Sequence, residues 1–201
     1  AAAAAAAGDA PPATPATPGD VTAAVLGHHV LDFWTNVCLC HSLIVERPRE
    51  EGGGGGGDAA APAPPPPPPA QPAYQGPSPD EVALADAARR LGFEFVARSR
   101  TTVTLRMDGH DVTHDLLNLL DFTSDRARMS VVTRAPDGTI RLHCKGSDAA
   151  LLPRLRAGTD GRLLEATQDN LASFSVAGLR TLLLASRVVP EAEWSAWNAR
   201  Y

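Results

Sequence analysis

The sequence predicts an α+β domain: a mainly antiparallel β-sheet flanked by helices. Two turn signals, Asp108-Gly109 and Ala135-Pro136-Asp137-Gly138, each lie between segments of strand character, which makes two hairpins. Segments with helix start and stop residues are mixed among these hairpins, the mark of an α+β rather than an all-β chain. Hydrophobic residues are 44% of 201 and aromatics only 5%. That allows one ordinary domain plus tails, with a mainly aliphatic core.

Residues 1–19 are rich in Ala, Pro and Thr, the composition of a disordered tail. Asp20 is placed to cap a helix from about Val21 to Val45, so that 20–46 reads as one amphipathic helix. Leu26, Val30, Phe33, Val37, Cys40 and Ile44 fall at spacings of 4, 3, 4, 3 and 4, which is one apolar face. Residues 47–72 read as a flexible insertion with a Gly run, Gly52–Gly57, and a stiff extended Pro run, Pro64–Pro69. The Pro run has two readings, a spacer or a segment for a polyproline-binding domain.

The domain body spans 73–201 and begins near Tyr74. Ser78 can cap a helix, Pro79 suits its first position and Glu81 closes a capping box. The helix runs through Val82–Leu91 to Gly92. Strands are expected over Phe93–Arg98, Thr102–Met107, about His110–Leu116, Met129–Arg134 and Thr139–Lys145. Helices follow over Ser147–Arg156 and Leu163–Ala177, with Gly178 as the stop. Leu179–Val188 reads as an apolar strand and Pro190–Tyr201 as a last short helix carrying Trp194 and Trp197.

Charge and cysteine usage exclude several classes. The net charge of −5 gives no reason to expect nucleic acid or an anionic membrane as partner. Cys38, Cys40 and Cys144 are an odd count without a pairing pattern, and Ala1–Ala7 lacks the features of a signal sequence, so a reducing compartment is expected. Val21–Val45 is interrupted by Asp32, Asn36 and three histidines and makes a poor membrane span. The Gly run is no phosphate loop, because no Gly-Lys-Ser/Thr follows it. Cys38-x-Cys40-His41 lacks a second ligand pair, so no metal site is expected there. His110 and His114 read as exposed residues on one strand face with no carboxylate base nearby.

Lys145 stands apart. The chain has 18 basic residues, and Lys145 is the only lysine. A compact ammonium and a planar guanidinium are not interchangeable at a tight site. Lys145 therefore either projects into an anion or nucleotide pocket or survives by chance on a solvated edge. It lies in Cys144-Lys145-Gly146-Ser147-Asp148, one of four segments that stand out together. The others are Ser78-Pro79-Asp80-Glu81-Val82-Ala83-Leu84, Phe122-Thr123-Ser124-Asp125-Arg126-Ala127-Arg128-Met129-Ser130-Val131 and Gly178-Leu179-Arg180-Thr181-Leu182.

In this order the four segments resemble the nucleotide-binding domain of P-type ATPases, and the Ser-Pro-Asp-Glu and Lys-Gly-Ser-Asp forms resemble its type IV, phospholipid-transporting branch, the flippases. The resemblance covers about 74–201 and extends weakly to Cys40-His41-Ser42 and Glu46. It implies an ATP site in which Phe122 stacks on adenine, Lys145 lies at the pocket floor, Arg180 reaches the phosphates and Glu81 accepts from the adenine amino group or a neighbouring side chain. Asp80, Ser124, Arg128, Gly146 and Thr181 are secondary candidates. The four main residues each have a plainer alternative: a core Phe in a strand, a helix-entry turn at Lys145-Gly146, a surface salt bridge for Arg180 and the capping box for Glu81.

One residue departs from the pattern. The family segment carries a Lys where this chain has Ala127. Losing one charge-assisted hydrogen bond costs on the order of 1.5–3 kcal/mol, unless Arg126 or Arg128 compensates. The resemblance also implies an acceptor aspartate in Asp-Lys-Thr-Gly-Thr, which this sequence does not contain. The expected role is therefore to position ATP for phosphoryl transfer to an aspartate outside this chain. Mg²⁺ would arrive with the nucleotide, and the phosphorylation, actuator and membrane domains of a pump would be the partners. Such a domain lies on the cytoplasmic face of a membrane without inserting into it and is not catalytically complete alone. The alternative is a degenerate, non-enzymatic interaction module with a Pro-rich partner-binding segment.

Overall fold

The computed structural model describes residues 18–46 and 73–201. The chain divides into two compact units, Ala1–Phe33 and Trp34–Tyr201. Helix α1 is assigned over Pro18–Leu39, and its last turn belongs to the second unit. The expected helix over 20–46 is therefore too long at its C-terminal end: Ile44–Glu46 is a strand, β1. Asp20, expected as the cap, lies inside α1. The expected apolar stripe does not decide burial either. Val37 and Cys40 are buried, Val30, Phe33 and Ile44 are exposed, and Asn36, Cys38 and Leu39 are buried beside Val37. The end of α1 enters the core and is covered on every side, which a one-face pattern cannot anticipate. The expected tail 1–19 and insertion 47–72 lie outside the described residues but for Pro18 and Gly19.

β1 pairs antiparallel with β2 (Ala73–Gln75), with Glu46 opposite Ala73. Helix α2 (Pro79–Arg90) follows, with Ser78 as its N-cap accepting from the Glu81 N–H at 3.5 Å. A six-stranded antiparallel sheet then runs in sequence order: β3 (Phe93–Arg98), β4 (Thr102–Met107), β5 (His110–Thr123), β6 (Arg128–Arg134), β7 (Ile140–Gly146) and β8 (Leu183–Val188). Between β7 and β8 come α3 (Asp148–Leu151), a 3-10 turn (Leu152–Arg154) and α4 (Gly161–Val176). Helix α5 (Glu191–Asn198) closes the chain. Asp108 and Gly109 both have positive φ (49° and 78°), the primed turn that matches strand twist. Among the described residues no helix is long and apolar enough to cross a membrane.

β5 is twice as long as expected, with register shifts between Leu116 and Asn118 and between Leu120 and Thr123. The first bulge puts Leu116 and Leu119 on one face and Leu117 and Leu120 on the other. A spacing of three breaks the two-residue alternation by which a strand is recognised. β8 starts at Leu183 rather than Leu179, because Gly178 (φ 74°) and the Leu179 N–H bond to Phe174 O finish α4 first.

The sheet has two packed faces. Val131 and Val132 are adjacent on β6 and so point to opposite sides. Val131 packs with Cys40 and Met129 beneath the chain that leaves α1. Val132 packs with Ile140 and Val189 under Trp194 of α5. Trp194 donates to Asn118 Oδ1 at 2.9 Å, which ties α5 to the bulged strand. The larger core lies where Val37, Leu39 and Leu43 meet Ala85, Ala88, Phe95, Val103 and Leu105.

Candidate functional site

One transverse row at the end of the sheet gathers the motif segments. Thr123 pairs with Arg128, Arg128 with Gly146, and Gly146 with Leu183. Strands stand about 4.8 Å apart, so Phe122 begins roughly two strand spacings from Lys145-Gly146. Arg180-Thr181 arrives just ahead of Leu183. The fourth segment reaches this end from the side, because Lys145 Nζ donates to Glu81 Oε1 at 2.9 Å and Arg180 pairs with Asp80 at 3.0 Å.

Lys145 and Glu81 form a buried ion pair, 6% and 8% exposed. The expected capping box at α2 is only half made. Ser78 caps, but the Glu81 carboxylate does not reach back to it: Glu81 Oε2 accepts from the Ser42 N–H and hydroxyl, each at 3.0 Å. The pull of a buried ammonium in a low-dielectric setting outweighs a local cap worth about 1 kcal/mol. Glu81 thus joins three pieces of chain: the loop after α1, the first turn of α2 and the end of β7.

The loop that presents Ser42 is itself fixed. Arg98 donates to Leu39 O at 2.9 Å and to His41 O, binding the backbone where α1 ends. The Leu43 N–H donates to His41 Nδ1 at 3.1 Å. Burial, then the positive charges of Arg98 and Lys145, hold the His41 imidazole well below its ordinary pKa, so it stays neutral. Burial pushes the Cys40 thiol up to about 12, and its Sγ faces Met129 O and His143 O. Cys38 is also raised to about 12 by burial and faces Phe93 O.

Phe122 is not a core residue. It is 62% exposed at the end of β5. Ser124 is exposed in the turn that follows, and Thr181 is half-buried ahead of β8. Arg126 donates to Asp121 O and Arg128 to Arg126 O, so both guanidiniums are engaged within the hairpin. Ala127 has φ of 48° and its carbonyl accepts from Ser147 N–H at 3.0 Å. Gly146 is required by this contact rather than by its own φ. A Cβ there would lie 2.5 Å from Arg128 Cβ and 2.6 Å from Ala127 O.

His114 corrects the reading of an exposed histidine pair. His110 is exposed, but His114 is buried, because it sits opposite the core residue Val103. Ser42 and Arg98 were missed as contributors. Cys40-His41-Ser42 was the only hint of Ser42, since nothing in spacing links it to Glu81. A cleft lined by Ile44, Val45, Val96, Ala97 and Arg98 includes none of the expected nucleotide contacts.

The six-stranded antiparallel meander, with helices on both faces and a Phe, Lys and Arg segment at one end, defines an α+β domain of the kind the sequence predicts. Residues 75–200 match the family described as P-type ATPase, cytoplasmic domain N, and the chain belongs to that family. It is 37% identical over 172 residues to phospholipid-transporting ATPase IC of Mus musculus, covering 86% of this chain and 12% of that protein. To phospholipid-transporting ATPase ID of Homo sapiens it is 38% identical over 172 residues, 86% of this chain and 13% of that protein. A phospholipid-transporting ATPase of Schizosaccharomyces pombe is 43% identical over 125 residues, 62% of this chain and 10% of that protein. The chain thus spans about an eighth of the length of the curated mammalian relatives it matches.

Proposed function

We propose that this chain is the ATP-binding domain of a phospholipid-translocating pump and presents ATP for phosphoryl transfer to an aspartate outside this sequence. The observation that carries the reading is the row Thr123–Arg128–Gly146–Leu183, which draws the separate motif segments to one end of the sheet. The exposed ring of Phe122 offers a flat face for adenine. An ammonium has three donors, and Lys145 spends one on Glu81, so two remain that a nucleotide can engage. Both Glu81 oxygens are engaged, which favours holding Lys145 over reading the adenine amino group.

The two ion pairs divide the work by their energetics. The Arg180 side chain is 80% exposed, and such a surface pair is worth about 0–1 kcal/mol, so Arg180 exchanges Asp80 for a phosphate at little cost. The buried Lys145–Glu81 pair stays fixed. Mg²⁺ enters with ATP, its ligands lying on other domains of the pump. The domain's contribution is positioning, since phosphoryl transfer leaves little covalent chemistry for it to do.

The test is an ATP titration of the chain by calorimetry, beside Phe122→Ala. Stacking of a base on an aromatic ring is worth about 1–3 kcal/mol, so the variant should bind roughly 5- to 150-fold more weakly with its melting temperature unchanged. A folded chain that binds no ATP at millimolar concentration would instead favour the degenerate interaction module, with Ala127 the leading cause.

A further inference from the structure

Glu81 Oε2 accepts two hydrogen bonds from one residue, Ser42, while Oε1 carries the Lys145 ammonium. Ser42 in turn sits on a loop pinned by Arg98 at Leu39 O and His41 O and by the Leu43 N–H bond to His41 Nδ1. The carboxylate is thus clamped from the side away from Lys145. A carboxylate with one free oxygen can rotate about its last torsion, a broad and soft one, and its partner's donors move with it. Two convergent donors on Oε2 remove that freedom. Lys145 is on β7 between Met129 and Leu184, one residue from the row that carries Gly146. Fixing Glu81 therefore fixes where the remaining Nζ–H donors point.

We propose that Ser42 is a positioning residue for the nucleotide site: its hydroxyl and N–H lock the Glu81 carboxylate, which aims the Lys145 ammonium at the end of the sheet. The inference rests on the ATP-binding reading for its consequence, but its physical core does not need ATP. Removing the hydroxyl leaves the Ser42 N–H bond and the ion pair in place, so the Ser42→Ala variant keeps the fold while loosening the clamp. Thr retains the hydroxyl and restores it.

Because Lys145 is the only lysine, [15N]lysine labelling gives a single side-chain Nζ signal. The wild type should show a protected Nζ–H signal. Ser42→Ala should speed its hydrogen exchange and weaken ATP binding, each by roughly 10-fold, the lower end for a hydrogen bond to a charged group. Ser42→Thr should return both to within about twofold, a rescue that a purely packing role does not give. Should the alanine variant not fold, Ser42→Cys, a weak donor of similar size, carries the same comparison. An unchanged Nζ signal in the folded alanine or cysteine variant would overturn the proposal. A changed Nζ signal in a chain that binds no ATP supports the clamp and rejects the ATP reading. ATP binding that is tight and indifferent to Ser42, with the Nζ signal unmoved, does the reverse.

Discussion

A buried ammonium and a buried carboxylate answer to mutation differently from exposed ones. Lys145→Ala leaves Glu81 charged with only Ser42 as partner, so it should destabilise the domain by about 3–5 kcal/mol, read as a shift in the urea midpoint. The double variant Glu81→Gln/Lys145→Met removes both charges and should lose much less. If the single and double variants were equally unstable, the pair would not be the unit argued above. Gly146 makes a second residue-scale case. An added Cβ meets backbone of the facing strand, which cannot swing away as a side chain would. Gly146→Ala should cost about 1–3 kcal/mol in thermal or chemical unfolding, the range for overpacking. At this scale the sequence identified Lys145 as unusual by its rarity. It named Glu81 as an acceptor but not its partners, because a cap three residues from a serine is visible in a string and a partner 64 positions away is not.

The two-stranded pair β1–β2 shows how an element tolerates what lies between its strands. Glu46 and Ala73 are opposite each other, so residues 47–72 leave and return at one place. Closing a loop costs about (3/2)RT ln n, so a long connection is a modest burden rather than a barrier. Replacing 47–72 by Asn-Gly, the two-residue hairpin turn, should stabilise the domain by about 2 kcal/mol and leave the proposed ATP binding as it was. A drop in stability, measured in urea, would mean that the insertion has a structural task. The regular elements β3 and β4 follow their predicted spans, because hydrophobic alternation and the Asp108-Gly109 turn act locally. β5 does not, because its bulges exist only against the register of β6.

At the scale of the whole molecule, three imidazoles among the described residues are buried on or beside the sheet: His41, His114 and His143. Burial is the first cause in each. It lowers His143 to about 3, with Arg141 and His114 adding to the shift; His41 lies well below its ordinary 6.5, and His114 is lowered despite nearby Asp137 and Asp115. Below about pH 6.5 the unfolded chain takes up protons that the folded chain refuses. Unfolding therefore gains as pH falls, and stability drops toward the folded-state values, near 3 for His143. Each such group contributes about 1.4 kcal/mol per pH unit within its window. Urea midpoints should be flat above pH 7 and fall steeply between pH 6 and 4. His143→Leu should flatten that slope by about one group's share. A midpoint indifferent to pH over this range would mean that these rings titrate freely.

What the sequence determined by itself was local or compositional: the α+β class, the hairpin turns, the start of α2 at Ser78-Pro79 and the four segments that mark the family. These depend on turn chemistry, capping and alternation, which act within a few residues. What only the tertiary structure decided was which of those segments touch. The transverse row from Thr123 to Leu183, the clamp of Ser42 on Glu81, the exposure of Phe122 and the burial of His114 are set by strand register and by the path of the chain after α1. Register is an energy summed over whole strands, and burying a charge depends on what can be brought to meet it, so neither is written at the positions it governs.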